Sequence, residues 1–227
     1  MKKAFTLSEV LITLGIIGVV AALTIPSVIK NYQQKQTAIM LRRAYANLQN
    51  AIRMSVAENS DIVNWKFPPT SGDNRSQNYE FAETYFLPYF KSAKLYTDNE
   101  MIQKYPSYRY TYSFDGVEHQ LWGPRLVCID GTIYSFSVQN NYIWINIDIN
   151  GIKGPNKMGR DIFVAGSVLP DLKNRNSIRF WGSDATVLNS TTDFYGCNKQ
   201  LTGGYAGFYC GAWIEKNNWE IPDDYPW

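Results

Sequence analysis

Residues 5–29 read FTLSEVLITLGIIGVVAALTIPSVI, and no charge falls between Val10 and Ile25. With its flanks this run reaches the roughly 20 apolar residues that span a bilayer as a helix. One residue breaks the apolar logic. Glu9 places a carboxylate at the start of the run, where insertion costs on the order of 3 kcal/mol. Lys2 and Lys3 precede the segment, while Lys30, Lys35, Arg42 and Arg43 follow it. Positive charge therefore flanks both ends and does not orient the segment.

Three readings compete. A cleaved secretory signal would use the small pair Ala21-Ala22, but Glu9 and the length of the run both fit it poorly. A plain anchor leaves Glu9 without a partner. The third reading supplies one. A cut between Ala4 and Phe5 would create an ammonium group close to Glu9, and the two could pair within one chain or between neighbouring helices.

Lys-Lys-Ala, then Phe5-Thr6-Leu7-Ser8-Glu9, then an apolar helix resembles the class III signal of type IV pilins and type II secretion pseudopilins. The resemblance covers about the first 30 residues. It implies that a membrane prepilin peptidase cuts between Ala4 and Phe5 and methylates the new amine of Phe5. It implies that Glu9 serves assembly by pairing with a neighbour's N-terminus, and that Pro26 marks a bend in the helix. The residue before the cut is usually Gly, and here it is Ala4. The residue before the glutamate is usually Ile or Val, and here it is Ser8.

Beyond the apolar run, no Gly or Pro occurs from Ser27 to Asn59. Leu41, Tyr45, Leu48, Ile52 and Ser55 or Val56 recur at spacings of three and four. That is an amphipathic stripe, and it predicts packing on a core. Residues 61–79 hold Pro68-Pro69 and Ser71-Gly72-Asp73 and read as a loop. Residues 80–91 suggest a short helix interrupted at Pro88. Short strands follow. Tyr108–Phe114 alternates, and Leu126–Ile129, Asp130-Gly131 and Ile133–Val138 read as a hairpin with a two-residue turn. Tyr142–Ile149 sets four isoleucines on one face, and Ile162–Leu169 and Ser177–Trp181 are further strand candidates.

Helix first and antiparallel strands after give an α+β class, with a long N-terminal helix packed on an antiparallel β-sheet head. The expected organisation is a leader at 1–4, a transmembrane half-helix at 5–29, an amphipathic half at 30–60 and a globular head at 61–227. This agrees with the pilin architecture that the resemblance implies.

The rest of the chain offers little chemistry. One histidine, His119, and three cysteines leave small scope for histidine-based zinc sites or nucleophile systems. Lys+Arg number 22 against 20 Asp+Glu, which gives no basic footprint for nucleic acid. Asp171, Asp184, Asp193, Glu220, Asp223 and Asp224 read as solvated turn residues. No enzyme motif is found, and no metal ligand set is assigned. Asn146-Ile-Asp148-Ile-Asn150-Gly151 fits the first half of a calcium loop, with Asp161 as a late ligand, but position twelve is Lys157 rather than Glu. A strand running into an Asn-Gly turn explains the same residues. Cys197 and Cys210 bracket a Gly-rich aromatic stretch, and a disulfide is permitted outside the cytoplasm. The resemblance favours that pair, since many type IV pilins close a C-terminal loop this way; reduced buried cysteines are the other reading. Cys128 reads as a buried thiol. The C-terminal aromatics Tyr205, Phe208, Tyr209, Trp213, Trp219, Tyr225 and Trp227 either pack the sheet's end or form a sticky surface.

The expectation is a structural subunit of a type IV pilus or type II secretion pseudopilus filament. It would sit single-pass in a bacterial inner membrane with its head extracytoplasmic, meet prepilin peptidase, and join a homo- or hetero-oligomeric filament. The alternative is a membrane-anchored binding or adhesion protein with an aromatic-rich head.

Overall fold

The structure is a computed structural model. It describes residues 6–69, 74–108, 110–114, 116–139, 142–168, 171–173 and 176–227, and leaves the side chains of Tyr110 and Tyr112 undescribed. The expected cut between Ala4 and Phe5, and the Ser71-Gly72-Asp73 turn, lie outside the described residues.

Helix α1 runs from Leu7 to Asn59, 53 residues, with Pro26 inside it. It stops where Ser60 takes a left-handed φ of 69°. The chain forms two compact units, one up to Gln36 and one from Thr37 onward. In the first, an 18-residue apolar window carries no buried residue. In the second, Ala38, Leu41, Ala44, Tyr45, Leu48, Ala51, Ile52 and Ser55 are buried. These are the three-and-four spacings of one helix face.

That face packs on a six-stranded antiparallel sheet. Its strands are β1 Lys94–Tyr96, β4 Arg125–Val127, β5 Ile133–Gln139, β6 Tyr142–Asp148, β7 Ile162–Val168 and β8 Arg179–Phe180, adjacent in that order. A second ladder pairs β2 Tyr110–Tyr112 with β3 Glu118–Gln120. Three contacts fix the helix on the sheet. The Tyr134 hydroxyl donates to the Ala44 carbonyl at 2.8 Å, Gln49 Nε2 donates to the Ile178 carbonyl at 2.7 Å, and Tyr45 stacks on Phe180 with centroids 4.0 Å apart. Ala38, Ala44 and Ala51 keep the helix surface low, so its backbone can approach the strands.

Strand β6 follows its sequence pattern. Ile143, Ile145 and Ile147 are fully buried on the helix side, while Tyr142, Trp144 and Asn146 are half-buried on the other. The hairpin between β4 and β5 differs from the two-residue turn expected. Cys128 N donates to Thr132 O and Gly131 N to Cys128 O, which closes a three-residue loop. Gly131 at φ 89° supplies the left-handed residue that such a loop needs.

Helix α2 spans Arg75–Tyr85, so part of the expected 61–79 loop is helical. Its buried face includes a polar residue. Asn78 Nδ2 donates to Val138 O at 3.1 Å and Asn78 Oδ1 accepts from Val138 N at 2.7 Å. A single amide thus substitutes for a missing strand at the edge of β5, which hides the helix from an apolar-periodicity reading. Helix α3, Asp98–Lys104, begins with a capping box between Thr97 and Glu100. Helix α4, Cys210–Lys216, lies among the C-terminal aromatics. Of these, Phe208, Tyr209 and Tyr225 are buried in the head, and Tyr205 stays 43% exposed.

Candidate functional site

Two places gather functional chemistry: the capped start of α1 and an acidic loop after β6. At the first, Thr6 and Glu9 form a reciprocal cap. Glu9 Oε2 accepts from Thr6 N and from Thr6 Oγ1, both at 2.8 Å. Thr6 Oγ1 in turn accepts from Glu9 N at 3.2 Å. This is the S/T-x-x-E capping box, and Thr6-Leu7-Ser8-Glu9 spells it in the sequence. Glu9 therefore has a local structural task at the start of α1. Its carboxylate is exposed at the start of an apolar helix, satisfied through one oxygen. Pro26 lacks an N–H, so it leaves the Ala22 carbonyl without its helical donor, yet the helix continues on both sides.

The second place is the segment from β6 to β7. Asp148 ends β6 with its side chain on the face away from α1, and it is 1% exposed. Its Oδ1 accepts from Asn150 N at 3.1 Å and Gly151 N at 2.7 Å. Gly151 is required there: it has φ 64°, and a Cβ would stand 2.2 Å from the Gly131 carbonyl oxygen. Asp161, 3% exposed, captures the other end of the loop. It accepts from Asn156 N at 2.7 Å and Lys157 N at 2.5 Å. Asn150 Nδ2 reaches Asp161 Oδ2 at 3.3 Å and the Gly154 carbonyl at 3.4 Å, both at the outer limit of hydrogen bonding.

The structure thus brings Asp148, Asn150 and Asp161 together. Asn146 sits two residues earlier on the same face of β6 and is not a member of this network. Asn156, which the sequence motif does not single out, is a member through its backbone. Burial pushes both carboxyls above the ordinary range, Asp148 most strongly; Asp161 nearby raises Asp148 further, while the backbone donors and Arg160 partly offset the rise at Asp161. The Tyr108 hydroxyl stands beside Asp148. No Lys or Arg forms an ion pair with either acid among the described residues. Nor do three or more His, Cys, Asp or Glu side chains converge as a metal cluster among them.

Cys197 and Cys210 are joined by a disulfide, with Cα atoms 4.9 Å apart. The bond ties the 197–209 loop to the first residue of α4. Cys128 is free and half-buried. Burial, with Asp130 nearby, pushes its thiol up to about 12, so it carries little thiolate. His119 lies against Gly204 and its Nε2 is buried. The scattered acids take turn and rim positions: Asp184 pairs with Arg179 at 2.5 Å, and Asp193 accepts from the Tyr209 hydroxyl at 2.7 Å.

No curated protein and no solved structure matches the chain. One family model does, described as a family of unknown function, DUF6613, and it matches residues 27–227. The match begins one residue after Pro26, so it takes in the packed half of α1 and the whole head. The chain belongs to the DUF6613 family.

Proposed function

We propose that this chain is a prepilin-type structural subunit, cut between Ala4 and Phe5, methylated on Phe5, and assembled into a type IV pilus or type II secretion pseudopilus filament. The observation that carries this reading is the division of α1. One continuous helix has an apolar half with no buried residue in its 18-residue window and a half that is built into a disulfide-bonded head. A helix apolar on every face needs lipid or other helices around it. In the bilayer, lipid supplies that surround; in a filament, the same segments of neighbouring subunits would replace it.

In this reading the chain waits in the inner membrane with its head extracytoplasmic, meets prepilin peptidase, and joins like or related subunits. Its role is structural rather than enzymatic. The new Phe5 ammonium and Glu9 would set the register of each incoming subunit. The test is the mass of the mature N-terminus from purified membranes. The expected species starts at methylated Phe5. An intact Met1 would overturn the reading and favour an anchored binding protein, for which the exposed rings of Phe194 (54%) and Tyr205 (43%) are the supporting observation.

A further inference from the structure

A cavity of about 280 Å³ opens beside β7 and β8. Three rings line it: Trp181, Tyr195 and Tyr209. Trp181 and Tyr195 meet edge to face, with centroids 5.6 Å apart and 61° between their planes. Tyr195 and Tyr209 stand 5.9 Å apart, tilted by 31°. Trp181 and Tyr195 are half-buried, and Tyr209 is buried.

The chain itself fixes these walls. Trp181 N donates to the Val164 carbonyl at 2.9 Å, and its indole meets Trp144 edge to face at 5.7 Å. The Tyr209 hydroxyl donates to Asp193 Oδ2 at 2.7 Å, and Tyr195 N donates to Asp193 Oδ1 at 3.0 Å. Tyr209 N donates to the Tyr195 carbonyl at 3.0 Å. One carboxylate thus spaces two of the walls, and the Cys197–Cys210 disulfide ties together the segments that carry them. Walls set in advance cost a ligand little ordering.

The charge around the rings is negative. Asp171, Arg179 and Asp184 line the cavity, and Asp193 stands at the Tyr209 hydroxyl. Arg179 pairs with Asp184, while Asp171 and Asp193 form no ion pair among the described residues. The phenols feel the same field. Burial pushes both hydroxyls up; Tyr205 and Asp193 raise Tyr195 further, and Asp193 raises Tyr209. Each ring adds the negative face of its quadrupole. Among the described residues no Lys or Arg lies over these three rings; the cations that meet rings do so at Tyr96, Tyr105 and Trp227. The class of cation follows from hydration. An ordinary ammonium carries N–H donors and a tight water shell, and needs acceptors in exchange. Asp184 and Asp193 already accept hydrogen bonds. A quaternary ammonium has no N–H and spreads its charge over methyl groups, which is what aromatic walls accept.

We propose that this cavity binds a quaternary ammonium cation of choline's size, with Trp181, Tyr195 and Tyr209 as its walls and Asp171 as countercharge. The inference does not depend on filament assembly.

The experiment uses the full chain in polyoxyethylene detergent micelles, which contain no choline. Saturation-transfer NMR follows the N-methyl protons of choline during a titration at constant ionic strength. Saturable transfer is expected. Ethanolamine, the same chain with a primary ammonium, should displace choline about tenfold more weakly than choline itself binds. Tyr195→Leu keeps apolar bulk but removes one ring face, and should weaken choline binding about tenfold, with Tm as the folding control. Asp171→Asn leaves every ring in place and should weaken binding about threefold. Phosphatidylcholine vesicles that displace choline would assign the cation to a lipid headgroup, and vesicles that leave it bound would assign it to a free solute; both support the cavity's ligand class. Absence of saturable transfer from the wild-type chain would overturn the proposal. So would ethanolamine binding as tightly as choline, or wild-type affinity in both variants. So would a methyl glucoside that displaces choline with the higher affinity, because the rings would then serve a sugar.

Discussion

The two halves of α1 share one backbone and opposite surroundings. From Ala38 to Ser55 the buried face repeats at three and four, and each turn meets a strand or loop of the head. From Val10 to Ile25 the helix carries no charge, and its 18-residue apolar window holds no buried residue. Helix propensity does not separate them, since both are helical. The difference is where burial comes from: one half finds it inside its own chain, the other needs a second medium. The same difference separates the two Thr-x-x-Glu caps. Glu100 caps a short helix of the head, and Glu9 caps the apolar start of α1.

The sharpest way to break this comparison is at Glu9. Under the proposed function, Glu9→Ala removes both the charge and the cap and is expected to abolish filaments while the head still folds. Glu9→Gln keeps a side chain that can complete the capping box but removes the charge. If charge pairing drives assembly, Gln fails as Ala does. Filaments of normal number with Gln would assign the role of Glu9 to capping alone. The measurement is filament count by electron microscopy, with disulfide-bonded head recovered from the same cells as the folding control.

Next in size is the core. Leu48 is fully buried against the sheet, and Leu48→Ala is expected to destabilise the head by about 2–5 kcal/mol. Ile16 is 59% exposed in the isolated chain, and Ile16→Ala should move head unfolding by less than about 0.5 kcal/mol. Chemical denaturation in detergent, read by tryptophan fluorescence, separates them. Equal losses would mean that the apolar half contributes to the head's stability, contrary to the division described.

How much of this is legible in the sequence depends on whether burial leaves a period. The Ile143-Ile145-Ile147 alternation and the Leu41-Tyr45-Leu48-Ile52 stripe can be read directly, and they place the helix on the sheet. The α+β class follows from them. The start of α2 cannot be read this way, because Asn78 is buried for its amide and not for apolar area. Helix α3 buries only Met101, so no stripe marks it, although its capping box stands in the sequence as Thr97-Asp98-Asn99-Glu100. At the acidic loop, the alternation of Asn146, Asp148 and Asn150 before Gly151 can be read either as half of an oxygen-ligand motif or as a strand entering a turn. The membership of Asn156 comes from Asp161 seizing its backbone, a tertiary event with no sequence period.

The smallest expected effect makes the finest comparison. Thr97→Ala deletes the oxygen that accepts from Glu100 N at 3.3 Å, and Thr6→Ala deletes the one that accepts from Glu9 N at 3.2 Å. Each loss is expected to cost its own helix about 1 kcal/mol. For Thr97 that cost should appear in head unfolding, because α3 belongs to the head. For Thr6 it should be absent there and appear as faster amide hydrogen exchange over the first turn of α1, measured in micelles. The first-turn amides are the ones without helical acceptors, and in an apolar medium no water replaces the lost partner. The same substitution should therefore be felt more strongly in lipid bilayers than in a mobile micelle surface. An equal exchange rate in both would mean that this helix start lies in water, and that Glu9 is placed at the interface rather than within the apolar layer.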